Sequence, residues 1–441
     1  MPSDMPPDAH RQHVAWFRHS SPYIHAHRGR TFVIAFPGEA LEGDGYAGLV
    51  HDVALLSALG VRIVLVHGIR PQIERRLEAR GVASRYHAGL RITDAQALDG
   101  VKEAAGAVRV ELEALLSMGV ANSPMAGARL RVVTGNFVTA RPLGVRDGVD
   151  YCHTGTVRRI DADAIARQLA DGAVVILSPI GYSPTGEVFN LPFEELAGQV
   201  AVAVRADKLI CLIEGDGLRA PDGSLVRQIR PDEADAAAHQ PLGGDDERAL
   251  AGALEAVRQG VRRAHLVGRD TDGALLLELF TRDGVGTMIT AAPYDTVSQA
   301  TVDDIGGILE LIEPLERKGV LVERSREQLE TEIGYFTVLR RDGAVIGCSA
   351  LRPFPDEGMG ELACLAVHPD YMRGGRGELL LERIERQACD SGLGAVFVLT
   401  TQTAHWFAER GFREAMVDDL PVSRKSLYNY QRNSKVYLKR L

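Results

Sequence analysis

The stretch that most constrains this chain is residues 361–388, ELACLAVHPDYMRGGRGELLLERIERQA. An apolar run ends at His368-Pro369, then come Gly374, Gly375 and Gly377, and Leu379, Leu380, Leu381 and Ile384 follow with helical spacing. This pattern predicts a strand, a glycine loop and an amphipathic helix, in that order. Glycines at a strand-to-helix turn let backbone amides approach a ligand, and the helix start adds partial positive charge. Such a turn suits a pyrophosphate. The same glycines would also serve a tight turn that binds nothing.

At 441 residues the chain exceeds one ordinary core, so two or three domains are expected. Residues 1–30 read as an extra N-terminal element: a short amphipathic helix through Val14 and Phe17, interrupted near Pro22. It either docks onto another subunit or caps its own domain. From residue 31 to about 290, β-branched runs at 31–36, 61–68, 130–138, 173–181, 208–213 and 263–268 alternate with helical stretches at 48–60, 94–118, 160–171 and 246–260. Buried parallel strands with crossover helices give this signature, so an α/β sandwich is expected. Residues 142–155 look like an inserted hairpin, and residues 291–300 read as a linker. Thr301 and Asp304 then open a helix to about residue 318 with a capping-box pattern. Residues 301–441 form a second, α+β domain, with strands near 335–341, 344–352, 360–367 and 395–400 and a helix from about 377.

The formal net charge of −9 argues against a general nucleic-acid binder, which needs a basic surface. The five cysteines (Cys152, Cys211, Cys348, Cys364 and Cys389) have no CxxC spacing, which favours free thiols in a reducing compartment. No metal-ligand cluster stands out, so no metal is expected. Arg11 and Arg18 break any apolar leader at the N-terminus, and no run approaches the roughly 18 to 20 apolar residues of a membrane span. A cytoplasmic enzyme without membrane or nucleic-acid partners is expected.

The strand, V-x-P, glycine loop and helix, followed by a further strand and a W-F-x-x-x-G-F segment (Trp406 to Phe412), resemble the GCN5-related N-acetyltransferase family. The resemblance implies acetyl-CoA as co-substrate, with no permanently bound cofactor. It places the CoA pyrophosphate on Val367, Arg373, Gly374, Gly375, Arg376 and Gly377. Met372 stands where the family usually opens the loop with Gln or Arg.

Amide formation from a thioester needs a neutral amine, a polarised carbonyl and a proton for the thiolate. Glu361, at the start of the central strand, is the candidate base, or else a solvated strand-end carboxylate. The backbone amide near Leu365 is the oxyanion donor that the family implies. A tyrosine common in the family is Phe407 here, which leaves Thr400 and His405 as alternatives for the acid. Cys364 reads as pocket lining more readily than as a nucleophile, since no His-Asp arrangement accompanies it.

After Asp419 the chain carries Arg424, Lys425, Arg432, Lys435, Lys439 and Arg440 and no acidic residue. These form either a solvated face or a pocket for a small dicarboxylate, which guanidinium forks match. Residues 320–330, 361–369, 397–412 and 426–436 together resemble bacterial N-acetylglutamate synthases, and the likeness runs along essentially the whole chain. It implies L-glutamate as acceptor, with Arg324 holding one carboxylate, the backbone near Cys364 helping, and Arg424 and Arg432 holding the other.

Residues 31–290 resemble the amino-acid-kinase fold. Ile69 and Arg70 replace phosphate-loop glycines, Ala35 occupies the first-strand lysine position, and the acidic pattern after Lys208 is altered. A catalytically silent domain is therefore expected. Residues 263–289 resemble the arginine-binding region of that family, which implies L-arginine as an inhibitor held by His265, Glu278 and backbone near Gly284, with Tyr23 closing the site. The family also implies a homo-oligomer, a hexamer built from dimers with the N-terminal element joining subunits. The rival readings are a bifunctional synthase–kinase and an arginine-binding regulator with an inactive acetyltransferase domain.

Overall fold

The computed structural model describes residues 7–42, 45–119, 125–234, 240–291, 295–341, 343–372, 375–429 and 434–441. The chain divides between residues 292 and 293 into two compact units.

The first unit is built on eight strands: β1 (Thr31–Phe36), β2 (Arg62–His67), β3 (Arg131–Val133), β4 (Ala173–Leu177), β5 (Lys208–Ile213), β6 (Gln228–Ile229), β7 (Arg263–Gly268) and β8 (Thr287–Ile289). Their order across the sheet is β6-β8-β7-β5-β1-β2-β4-β3. All neighbours run parallel except β7 and β8. Val33 and Ala35 join the core on one face of the sheet, while Phe32, Ile34 and Phe36 join the core on the other. With both faces covered, the strands read as continuous apolar runs and not as alternating ones. A four-stranded sheet from Val138–Pro142, Gly155–Ile160, Ile180–Tyr182 and Val188–Asn190 lies beside it in the chain. The hairpin Val145–Arg146 and Val149–Asp150 turns on Asp147 (φ 52°) and Gly148 (φ 77°), the left-handed pair that a tight hairpin needs.

Residues 295–299, expected to lie in a linker, form an edge strand of the second unit's sheet, and three local expectations change in the first unit. Residues 130–138 are not one strand: the polar Thr134-Gly135-Asn136 break ends β3, and the next strand joins the smaller sheet. Pro179 likewise splits 173–181 into two strands. The N-terminal helix α1 (Pro7–His27) runs unbroken through Pro22. Its last turns also have something of their own to pack against. His27 Nε2 meets the Leu279 carbonyl at 2.7 Å, Ser20 donates to the Phe280 carbonyl, and the His27 ring stands edge-on to Phe32 and Phe280. That anchor is the helix α2 (Ala274–Phe280).

The second unit contains β9 (Asp295–Gln299), β10 (Phe336–Arg341), β11 (Ala344–Phe354), β12 (Met359–Val367), β13 (Ala395–Thr400), β14 (Arg413–Ala415) and β15 (Lys435–Arg440), in the order β9-β10-β11-β12-β13-β15-β14. The capping pattern is present: Asp304 accepts the Thr301 N–H at 2.7 Å and also holds Arg340. It starts a short 3₁₀ turn that leads into α3 (Ile305–Arg317). The glycine loop opens α4 (Arg376–Asp390), whose Leu380, Leu381, Ile384 and Ala388 face the sheet. Two small helices follow, α5 (Ala404–Ala408) and α6 (Val422–Lys425).

Candidate active site

The site begins where β12 and β13 part. Their parallel register runs from Met359↔Ala395 to Leu362↔Val398 and ends there. Against β11 the register slips between Ala350↔Ala363 and Cys348↔Ala366, so β12 carries one extra residue. Cys364 sits at that bulge with φ 51°, a strained value for a residue other than glycine. A cavity of about 460 Å³ fills the opening, lined by residues from the segment after α3, from β11, β12 and β13, and from residues 424–429.

Of the residues singled out in the sequence, Arg324, Glu361, Cys364, Leu365, Thr400 and Arg424 all line this cavity. Glu361 is buried and accepts a two-pronged ion pair from Arg424, Nε to Oε2 at 2.8 Å and Nη2 to Oε1 at 2.9 Å. Burial pushes the Cys364 thiol up to about 11, which leaves it an uncharged part of the wall. The Thr400 hydroxyl accepts the Thr403 N–H at 3.0 Å and lies 2.9 Å from the Thr403 hydroxyl. Phe407 closes this side, and His405 is exposed and not among the lining residues. Of the two acid candidates, then, only Thr400 reaches the cavity. The five-residue helix α5 turns Phe407 inward and His405 out.

The sequence offered no sign of Arg352. It stands opposite Glu361 in the β11–β12 register, lines the cavity, and has no ion pair or hydrogen bond among the described residues. Strand register, which cannot be read from spacing, puts it there.

Beyond the cavity, β12 ends at Val367, whose side chain packs with Leu339, Ile346, Tyr371 and Leu380 beneath the loop. Arg373 and Gly374, like Arg432 of the tail, lie outside the described residues. Met372 is exposed. Gly375 has φ 74° and serves as N-cap of α4, so the first amides of the helix are left without intrahelical acceptors. Gly377 has a packing reason as well: a Cβ there would lie 3.1 Å from Trp406 Cζ2. Arg410 covers the Trp406 ring at 4.1 Å and pairs with Glu378 in the first turn of α4. The Arg376 guanidinium binds Asp295 at 2.8 Å, lies over Tyr371 and donates to the Tyr371 carbonyl at 3.4 Å, and its backbone lies at the helix start.

In the first unit, the buried His265 and Glu278 and the half-buried Gly284 form one cluster. His265 Nδ1 meets Glu278 Oε1 at 2.6 Å, and its Nε2 meets Lys208 Nζ at 3.2 Å. Glu278 Oε2 accepts the N–H groups of Val285 and Gly286 at 2.7 and 2.8 Å. A side chain at Gly284 (φ 60°) would run into this carboxylate. Burial and then the Lys208 charge push His265 down to about 4. Burial would raise Glu278, but the His265 bond and the two amides outweigh it and hold the carboxyl low. His265 thus supports Glu278 from inside the sheet, and Tyr23 packs half-buried on α1, 6.3 Å from the His27 ring. Where a phosphate loop would open, the Ile69 side chain is buried in the core and Arg70 pairs with Asp245 at 2.6 Å. All five cysteines are free, and no group of three or more metal-ligating side chains occurs among the described residues. Nor, among them, is any helix long and apolar enough to cross a membrane.

Comparison with known proteins agrees with both units. Residues 30–268 match the amino acid kinase family, and residues 332–414 match the acetyltransferase (GNAT) domain. An amino-acid acetyltransferase of Azotobacter vinelandii is 56% identical over 433 residues, covering 98% of this chain and all of that protein. N-acetylglutamate synthase from Neisseria gonorrhoeae, complexed with coenzyme A and L-arginine, superposes with a TM-score of 0.86 at 41% identity, over 97% of this chain and 99% of that one. The same synthase complexed with coenzyme A and N-acetyl-glutamate, at the same identity and coverage, gives 0.61.

Proposed function

The chain belongs to the amino-acid acetyltransferase family, in which an amino-acid-kinase-fold unit precedes a GNAT unit, and on that premise we propose that it transfers acetyl from acetyl-CoA to the amine of L-glutamate. The products are N-acetylglutamate and CoA, the entry step of arginine biosynthesis. The observation that carries the reading is the cavity at the parting of β12 and β13, which Arg324, Arg352 and Arg424 line together with Glu361. Three guanidinium groups suit an acceptor with two carboxylates. The relative bound to CoA and N-acetyl-glutamate supports the same substrate.

In this mechanism the Glu361 carboxylate takes one proton from the substrate ammonium. The freed amine lone pair attacks the thioester carbonyl, and the charge that develops on its oxygen is met by the backbone N–H near Leu365. Collapse breaks the C–S bond as nitrogen loses its second proton. The thiolate receives a proton from Thr400, which recovers one from the nitrogen, so each turnover releases a single proton through Glu361. The amides at Gly375 and the start of α4 hold the CoA pyrophosphate.

The first unit acts as an arginine sensor through the Glu278 cluster, a reading supported by the arginine-bound relative. Buried Ile69 and paired Arg70 weigh against phosphoryl transfer. The test is CoA thiol release measured with each amino acid in turn, with and without L-arginine. Release that depends on glutamate and falls with arginine is expected. Absence of glutamate-dependent release would overturn the catalytic reading, and indifference to arginine would overturn the sensor.

A further inference from the structure

The three arginines of the cavity differ in what they have left to offer. Among the described residues Arg352 has no hydrogen bond or ion pair, and the Arg324 side chain donates one hydrogen bond, to the Val322 carbonyl. Arg424 is committed: Nε and Nη2 hold both oxygens of Glu361, and Nη1 donates to the Leu427 carbonyl at 3.3 Å. The side chain assigned to a substrate carboxylate and the side chain assigned to the substrate amine are therefore bound to each other. Neither is fully free for its task while the pair is closed.

Resting on the reading that the acceptor is glutamate and Glu361 the base, we propose that the acceptor opens this pair by exchange. One substrate carboxylate takes the Nε–Nη2 edge of Arg424, and the substrate ammonium takes the place of Arg424 beside Glu361. Charge is conserved at every step. One ion pair inside the protein becomes two ion pairs with the substrate, so no buried charge is left uncompensated, the condition that makes breaking such a pair costly. Arg424 lies on the four-residue helix α6, flanked by the exposed Val422 and Leu427, so its movement disturbs little packing. Once opened, Glu361 receives one proton from the ammonium and the amine is left neutral. An amine lacking the matching carboxylate leaves the pair closed. Selectivity then appears in kcat as well as in KM, and Arg424 acts as a specificity-determining residue that controls the base.

The test compares wild type and Arg424→Gln on L-glutamate, on 4-aminobutyrate and on L-2-aminobutyrate, the last two each lacking one of glutamate's carboxylates. In the variant Glu361 has lost its competitor. We expect KM for glutamate to worsen, and kcat on one truncated acceptor to exceed the wild-type value by about tenfold, a part of the 10²- to 10⁴-fold that a positioned base supplies. A variant no faster than wild type on either truncated acceptor overturns the exchange. Because Arg424→Gln leaves a buried carboxylate without its partner, a second measurement uses wild type alone: a crystal structure with CoA and glutamate. Separation of Arg424 from Glu361 beyond about 4 Å, the outer limit of an ion pair, is expected. Both contacts kept at 2.8 and 2.9 Å would overturn the proposal. Failure of wild type to acetylate glutamate would strike the functional reading itself, whereas acetylation with the pair still closed would strike only the exchange.

Discussion

Replacing Glu361 with glutamine separates its structural task from its chemical one. The carboxylate is buried and receives both prongs of the Arg424 fork. Glutamine keeps the shape but presents an NH₂ to one of the two donors, so one charge-assisted hydrogen bond is lost, worth about 1.5–3 kcal/mol. Removing one member of a fully buried pair costs about 3–5 kcal/mol. Arg424 faces a solvent-containing cavity and its side chain keeps 18% exposure, which puts the loss at the lower end, near 2 kcal/mol. Set against a domain stability of about 5–15 kcal/mol, that leaves the variant folded at 25 °C. The chemical loss is larger: a missing general base removes about 10²- to 10⁴-fold in rate, or about 3–5 kcal/mol of barrier stabilisation. Thermal unfolding and steady-state thiol release, read on the same preparation, tell the two apart. The expected result is a folded enzyme with kcat reduced at least about a hundredfold and KM for glutamate no higher than wild type, since Arg424 no longer has a competitor. A kcat within about threefold of wild type would refute the base assignment.

Three further outcomes are expected. His265, held near 4 in the folded state against about 6.5 unfolded, stays neutral while the unfolded chain takes up a proton, so its contribution is complete above about pH 6.5 and is lost as pH falls toward 4, by on the order of 3 kcal/mol. Denaturant unfolding from pH 7.5 to 5 should show a steeper loss for wild type than for His265→Gln; parallel curves would contradict it. Gly377→Ala gains about 1 kcal/mol of helix propensity but loses about 1–3 kcal/mol to crowding against Trp406, so stability changes little while the start of α4 shifts and KM for acetyl-CoA rises severalfold. An unchanged KM would contradict the role of that turn. Arg352→Gln should leave stability within about 0.5 kcal/mol and raise KM for glutamate about tenfold, the loss of one charged hydrogen bond; an unaltered KM would exclude Arg352 from acceptor binding.

The parts of this molecule that were legible in its sequence are those whose physics is local. Strands 31–36, 208–213 and 263–268 stood out because both of their faces are buried, and the turn from β12 into α4 stood out through its glycines. The break inside 130–138 was missed because Thr134-Gly135-Asn136 is a weak interruption between two β-rich runs, and only the assembled sheets decide that the runs belong apart. The helix through Pro22 was missed because a proline penalty is local, while the anchoring of His27 on Leu279 spans 252 residues. The same distance effect governs the sites. Glu361 and Arg424 were each identifiable as chemistry-bearing residues, but their pairing across 63 positions depends on how α6 folds back over β12. The Arg376 side chain meets an aspartate 81 residues earlier, a contact that its place after Gly375 does not reveal. Arg352 was invisible because its value comes from facing Glu361 across a bulged register.

The most direct test of the central claim is the fate of the acetyl group. Incubation of the full chain with acetyl-CoA labelled with ¹³C in the acetyl carbonyl, and with L-glutamate, followed by mass spectrometry of the small molecules, should yield N-acetylglutamate carrying one label for each CoA released. Release of CoA with unlabelled, unmodified glutamate, or transfer of the label to another amino acid in preference to glutamate, would contradict the account.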